Sequence, residues 1–166
     1  DIEITPERLL TVNGKHVPVR GVNLCHDNIR TGNALTESDY DADFERIVEV
    51  GANAIRSVEG PHSQYLYDKC DREGVLVWID SPLCQSPFLS DIAYYSSNGF
   101  EQNGREQLKE IILQNIHHPS VAMWGIFSLL RGRSSDLMGY VKELNNLAKS
   151  TDPSRPTVAC SNQDGD

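Results

Sequence analysis

Long apolar runs are missing from this chain. No stretch approaches the ~18 residues of a membrane-spanning helix, so no membrane partner is expected. Basic residues are scarce: 15 Lys and Arg stand against 24 Asp and Glu, for a formal net charge of −9. They form no cluster, and phosphate contacts need clustered Lys and Arg, so no nucleic-acid partner is expected either. Cysteines are few and none share a CxxC spacing; Cys25, Cys70, Cys84 and Cys160 read as free thiols, with one bridge open as the alternative. No GxGxxG or GxxxxGK[ST] follows a strand-like segment, which leaves nucleotide-binding open sheets without support. No Gly-x-Ser-x-Gly elbow is present, and no Ser-His-Asp order is visible. A leader-like stretch is absent as well, and the first residue is Asp1 rather than Met, which predicts a piece processed or excised from something longer. A soluble protein is expected, cytoplasmic or exported.

What the chain does have is the make-up of a globular domain. Its 166 residues are 39% hydrophobic and 23% charged, enough for one domain with its own core and too apolar for disorder. Leu9 to Gly14 and Val17 to Val22 flank Asn13-Gly14, a hairpin signal. Thr36-Glu-Ser-Asp39 is a helix start. Behind it Tyr40, Phe44, Ile47, Val48 and Gly51 recur along one helical face, and Gly51 is a natural stop. Ala52 to Val58 is a short strand, Ser63 to Glu73 a helix, and Val75 to Ile79 a continuous apolar run of the kind buried on both faces. Ser81 to Asn103 reads as a long loop. Gly104 to His117 is a helix, with Leu108, Ile111, Ile112 and Ile116 inward. Val121 to Phe127 is a strand, Leu137 to Ala148 a helix, and Thr157 to Ser161 a strand.

The resulting βαβαβαβαβ order predicts an α/β fold with a parallel sheet and right-handed crossovers, either doubly wound or part of a (β/α)8 barrel. In both architectures the functional groups gather at the C-terminal strand ends. Those ends carry Asn23-Leu-Cys-His-Asp27, Arg56-Ser-Val-Glu-Gly60, Asp80-Ser81, Ser128-Leu-Leu130 and Cys160-Ser-Asn162.

Seven stretches, in order along nearly the whole chain, resemble the catalytic barrel of glycoside hydrolase family 2, the β-galactosidase, β-glucuronidase and β-mannosidase group. They are Leu10-Thr-Val-Asn-Gly-Lys15, Arg20-Gly-Val-Asn23, Gly51-Ala-Asn-Ala-Ile-Arg56, Tyr67-Asp-Lys-Cys-Asp-Arg-Glu-Gly74, Gln114-Asn-Ile-His-His-Pro-Ser120, Trp124-Gly-Ile126 and Asp152-Pro-Ser-Arg-Pro156. The resemblance implies a partial (β/α)8 TIM barrel, about its first five strands and four helices. On this reading residues 1–166 are a single N-terminal portion of the barrel, with strands six to eight and the usual sandwich domains absent. It also implies hydrolysis of β-O-glycosidic bonds by the parent class, through two carboxylates roughly 5–5.5 Å apart.

Against the family pattern the sugar-facing positions differ. The acid/base belongs to the Glu of an Asn-Glu pair ending the fourth strand; here Ser128 stands at the Asn and Leu129 at the Glu. Cys25 stands at a His and His26 at a Gln, Glu59 and Gly60 stand at His-Tyr, and Asp80 stands at a Glu. Asp27 and Arg56 are retained, and Arg56 would help to hold the nucleophile of a complete barrel. The nucleophile itself belongs to a seventh strand. No intact catalytic pair is therefore expected, and the chain is expected to be inactive as it stands. The alternative is a non-catalytic carbohydrate-binding or structural half-barrel module.

Candidate substrate-binding residues are Cys25, His26, Asp27, Arg56, Glu59, Asp80, Trp124 and Ser128, toward a β-glycoside bound weakly at most. Asp27, Glu59 and Asp80 read either as a carboxylate cluster or as solvated loop acids. Trp78 and Trp124 each read as a sugar platform or as core, with the apolar run around Trp78 pointing to core. Phe88, Tyr94, Tyr95 and Phe100, in the long loop, suit sugar contacts or simple loop packing. Cys25, His26, Glu59 and His62 lack the local spacing of a metal centre, so neither a metal nor a cofactor is expected. His117 and His118 read as structural residues at a helix exit. Open strand edges and apolar side chains at Val19, Val22, Ile55, Val77, Met123, Ile126 and Val158 predict association, as a homodimer or by docking onto the rest of the barrel.

Overall fold

A computed structural model describes residues 1–83, 98–128 and 135–160. The chain opens with a small antiparallel sheet of β1 (Ile2–Ile4), β2 (Leu10–Val12) and β3 (Lys15–His16). A five-stranded parallel sheet follows, β4 (Gly21–Leu24), β5 (Ala54–Ser57), β6 (Leu76–Asp80), β7 (Val121–Ser128) and β8 (Thr157–Cys160), its strands in chain order. Helices α1 (Glu37–Glu49), α2 (Gln64–Glu73), α3 (Asn98–Asn115) and α4 (Ser135–Thr151) make the crossovers. This is the partial (β/α)8 arrangement, five strands and four helices. No helix among the described residues is long and apolar enough to cross a membrane.

Local chemistry sets most boundaries. Asn13 and Gly14 both have positive φ, 51° and 75°, as the hairpin requires. The returning strand is only Lys15–His16, not Val17 to Val22: Pro18 has no N–H to continue a ladder, and the chain leaves the hairpin to start β4 at Gly21. Thr36 caps α1 in a reciprocal box with Asp39. Tyr40, Phe44 and Ile47 are buried as their spacing predicts, whereas Val48 lies on the exposed flank. α3 begins at Asn98, six residues before the expected Gly104, so Phe100 belongs to a helix and not to a loop. Gly104 escapes notice as a helical residue because its role is tertiary: a Cβ there would overlap the Tyr140 hydroxyl, where α3 and α4 meet. Residues 84–97, with Phe88, Tyr94 and Tyr95, lie outside the described residues.

The core lies between sheet and helices. Ile55, Val77, Ile79, Trp124 and Ile126 pack there with Leu66, Tyr67, Cys70, Leu108, Ile112, Leu144 and Ala148. Alternation along the strands turns Arg56, Trp78 and Asp80 to the other, concave face. Two expectations change with this register. Ile55, Val77 and Ile126 are buried under helices, not presented on an open face, and Trp78 is a half-buried residue of the concave face rather than core. Val19 is exposed, while Val22, Met123 and Val158 are half-buried.

The N-terminal rim of the sheet is closed by polar side chains from the motif stretches. Arg155 donates from Nε to the Val121 carbonyl at 2.7 Å, from Nη2 to the carbonyls of Ile116 and His118 at 3.0 Å each, and from Nη1 to Asp152 at 2.8 Å. The Trp124 indole N–H donates to the same Asp152 oxygen at 2.8 Å. Burial acts to raise the Asp152 pKa, but hydrogen bonds from Ser154, Arg155 and Trp124 outweigh it and hold the carboxyl at about 2. His118 is buried between Asp71 at 2.6 Å and Gln64 at 2.8 Å, as befits a structural residue, and Ser120 N–H donates to the other Asp71 oxygen at 2.8 Å. Asn53 joins β4 to β5, accepting from Arg20 N–H at 2.7 Å and donating to the Pro18 carbonyl at 3.0 Å.

Replacing Arg155 with Met keeps bulk but takes the guanidinium's hydrogen bonds from three carbonyls and its charge from the buried Asp152 carboxylate, which keeps its bonds from Trp124 and Ser154. Loss of one partner of a buried ion pair costs about 3–5 kcal/mol. Urea unfolding of R155M is expected to show a loss in that range; a loss under about 1 kcal/mol would mean that water replaces the guanidinium without penalty.

Candidate functional site

The C-terminal strand ends bring most of the expected residues together, in two groups. The first is on the concave face. Arg56, from β5, donates Nε and Nη2 to the same Asp80 oxygen, Oδ2, at 2.9 and 2.6 Å. Its guanidinium lies over the Trp78 ring, 4.5 Å from the centroid. Asp80 is fully buried, and burial is the main force raising its pKa; Arg56 opposes this and Glu59 adds to it. A half-buried cation is thus pinned by a carboxylate that does not itself reach solvent. Asp80 fixes the orientation of Arg56 and has no exposed surface of its own.

Gly125 completes this group. It pairs in register with Asp80, and a Cβ at 125 would overlap Asp80 Oδ1 and meet the Trp78 Nε1 at 2.6 Å and the Asp80 Cα at 3.0 Å. The glycine after Trp124 is the space into which the Asp80 carboxylate and Trp78 indole fit. Asp80 Oδ1 and Trp78 Nε1 share that space without a hydrogen bond of good geometry, yet the indole N–H is near enough to act against the rise in the Asp80 pKa. Trp124 itself is wholly buried in the core with its N–H on Asp152, which removes it from the sugar-facing set.

The second group ties the loop after β4 to the loop after β5. The rings of His26 and His62 stack 3.5 Å apart at 13°. His26 Nε2 faces the Gly60 carbonyl at 3.3 Å, and His62 Nε2 faces the Leu24 carbonyl at 3.1 Å. Gly60 O also accepts from Ser57 Oγ at 2.6 Å, and the Tyr67 hydroxyl accepts from His62 N–H at 2.7 Å. Between these anchors Glu59 takes a left-handed backbone, φ 62°, uncommon for a residue with a side chain. Cys25, Asp27 and Glu59 are exposed. Burial and then the His26 ring push the His62 pKa down to about 4.

Face-to-face stacking keeps the two imidazoles from converging on one ion. Among the described residues the one His, Cys, Asp and Glu group close enough to hold a metal is Asp68, Asp71 and His118, on the opposite rim, where His118 and Asp71 are already hydrogen-bonded. Ser128 ends β7; Leu129 and Asn162 lie outside the described residues. The stacking of Arg56 on Trp78, the space-making role of Gly125 and the stacking of His26 on His62 are contacts that the sequence reading does not contain. The period-2 alternation from Arg56 to its register partner Trp78 was the available signal for the first; nothing local announces the histidine stack.

A family model described as glycosyl hydrolases family 2, TIM barrel domain, matches residues 2–166. The chain belongs to glycoside hydrolase family 2. It is 39% identical over 160 residues to a β-glucuronidase of Bacteroides fragilis, covering 96% of this chain and 23% of that protein. It is 32% identical over 153 residues to the β-glucuronidase of Sus scrofa, covering 92% and 23%. Among solved structures, the FMN-binding β-glucuronidase from Facaelibacterium prausnitzii L2-6 superposes with a TM-score of 0.86 at 36% identity, over 95% of this chain and 24% of that one. A family 2 β-galacturonidase from Eisenbergiella tayi bound to galacturonate gives 0.85 at 27% identity, over 97% and 28%. The chain therefore spans about a quarter of the length of these relatives. Within the family 2 barrel, the Asp71, His118, Asp152 and Arg155 motifs build the N-terminal rim, and the substituted positions Cys25, His26, Glu59 and Asp80 stand at the opposite end.

Gly125→Ala tests the packing of the first group. The new methyl cannot avoid the Asp80 backbone by a side-chain rotation, so a loss of about 1–3 kcal/mol is expected in chemical unfolding. Unchanged stability would show that Asp80 and Trp78 are free to move off β7.

Proposed function

We propose that this chain is the sugar-facing first part of a family 2 glycosidase barrel that holds a β-glycoside weakly and does not cleave it. The observation that carries this reading is Leu129, next to Ser128 at the end of β7, where the family places its acid/base. A leucine has no proton to transfer to the glycosidic oxygen, and general acid catalysis is worth about 10²–10⁴-fold. Among the groups at the mouth, Asp80 is buried and bound to Arg56, and it offers no proton donor in Leu129's place. Arg56, Cys25, His26, Asp27, Glu59 and Ser128 are the proposed sugar contacts. The second reading, a structural half-barrel without a ligand, is favoured by the fit of Asp80 and Trp78 against Gly125, which packs protein into the space beside that glycine.

A panel of nitrophenyl β-glycosides separates these readings from an active enzyme. No turnover above background is expected from the chain, with weak sugar binding seen as line shifts in amide spectra. Turnover that disappears in Glu59→Gln or Asp80→Asn would overturn the proposal. In a protein that carries all eight strands and the nucleophile, Ser128→Asn with Leu129→Glu is expected to raise the rate at least about 10²-fold. No gain in a folded double variant would mean that Cys25 and Glu59 also obstruct the mouth.

The five-stranded sheet has β4 and β8 at its edges, each with unpaired backbone donors and acceptors. We propose that a second copy of the chain or the remaining strands of a barrel cover them. Light scattering over a concentration series is expected to show mass rising above the monomer; a monomer persisting into high micromolar concentration would overturn this.

A further inference from the structure

The stacked histidines carry a consequence independent of glycoside binding. Each ring reaches across to the other loop's backbone: His26, after β4, meets the Gly60 carbonyl, and His62, after β5, meets the Leu24 carbonyl. A carbonyl only accepts, so each Nε2 carries the hydrogen, and in a neutral ring Nδ1 is then the bare nitrogen. His62 Nδ1 is buried with no partner. In the neutral state that arrangement is tolerable, since a bare lone pair makes no demand for an acceptor as a buried N–H does. Protonation changes both terms: the new Nδ1–H has no acceptor, and a positive charge appears 3.5 Å from the other ring.

We propose that the stacked His26–His62 pair is an acid-released clasp that joins the loops after β4 and β5 while His62 is neutral and frees them when His62 gains a proton.

Among the described residues the surroundings supply no counter-charge inside the stack. From α1, Tyr40 meets the His62 ring edge-on at 6.0 Å; from α2, the Tyr67 hydroxyl holds the His62 backbone N–H. Burial raises the pKa of both phenols, Tyr67 to about 12, so neither ionises near neutrality. Asp27 and Glu59, on the two loops themselves, carry exposed carboxylates. The direction follows from linkage. His62 titrates near 4 in the clasp and near its ordinary 6.5 when released, so the released form takes up protons first and the clasp is lost as pH falls from 6.5 toward 4. Release also frees Gly60 O from one of its two donors and loosens the left-handed turn at Glu59. The distance between the Asp27 and Glu59 carboxylates at the mouth then becomes pH-dependent.

Amide hydrogen exchange with ring nitrogen spectra on the chain tests this. At pH 7.5 both rings are expected to show the Nε2–H tautomer. Between pH 7.5 and 4.5, after correction for intrinsic chemistry, amides of residues 25–27, 59, 60 and 62 are expected to lose between about tenfold and about a hundredfold protection, while those of β5 and β6 keep theirs. His62→Phe keeps a ring in the stack without its proton and is expected to shrink that loss below about threefold. His26→Phe, which removes the second charge, is expected to raise the pH at which His62 titrates. If His62→Phe does not fold, His26→Phe and the unsubstituted chain decide the question. Loop protection unchanged at pH 4.5, equal loss in β5 and β6, or a His62 titration unmoved by His26→Phe would overturn the clasp.

Discussion

One guanidinium holds the rim of this half-barrel together. Arg155 gathers the carbonyls of Ile116, His118 and Val121 and the carboxylate of Asp152, groups that come from the end of α3, the entry to β7 and the end of α4. The last carbonyls of a helix have no partner within it, and a buried carbonyl without a donor is costly. By satisfying three at once Arg155 fixes where α3 stops and β7 begins. Asp152 extends the constraint into the core through the Trp124 indole. Every residue further along β7, including Gly125 and Ser128, has its height in the sheet set from this end.

The opposite end is built on the same economy of buried charge but to another purpose. Arg56 and Asp80 form a pair in which one carboxylate oxygen takes both guanidinium bonds and the other lies beside the Trp78 indole. Breaking such a pair is costly, yet its net contribution to stability over well-packed apolar residues is small. A barrel that needed only stability would gain little from it. The pair instead holds a cation in a fixed orientation over Trp78 at the level where the strands end. The Arg155 cluster engages all three guanidinium nitrogens and both Asp152 oxygens. One rim is bound up in its own hydrogen bonds, while the other carries exposed Cys25, Asp27 and Glu59 on its loops.

How much of this could be read in the sequence depended on the range of the forces involved. Capping at Thr36, the Asn13-Gly14 turn and the apolar runs of β6 and β7 are local, and each announced its element. The motif stretches named the family because their residues bond to one another across the rim, so their spacing is the trace of one network. Faces were harder. A continuous apolar run such as Val75 to Ile79 has no alternation to say which side is which, and it points Trp78 to the core although the side chain belongs to the concave face. The start of α3 was misplaced by Gly104, whose reason lies on α4 in Tyr140. His26 and His62 are far apart in the chain and share no pattern; only the folded loops bring their rings together.

Two features of β7 show how scaffold and site constrain each other. Its pairing shifts register against β6 after Val77 and against β8 after Gly125. Bulges of this kind re-aim side chains, and they collect near functional ends of sheets. The second shift follows the one position where no side chain is possible, because Asp80 and Trp78 occupy its place. Packing of the Arg56 group therefore dictates a glycine, and the strand is irregular just beyond it, three residues before Ser128. The path of β7 toward Ser128 therefore depends on a buried ion pair carried by β5 and β6.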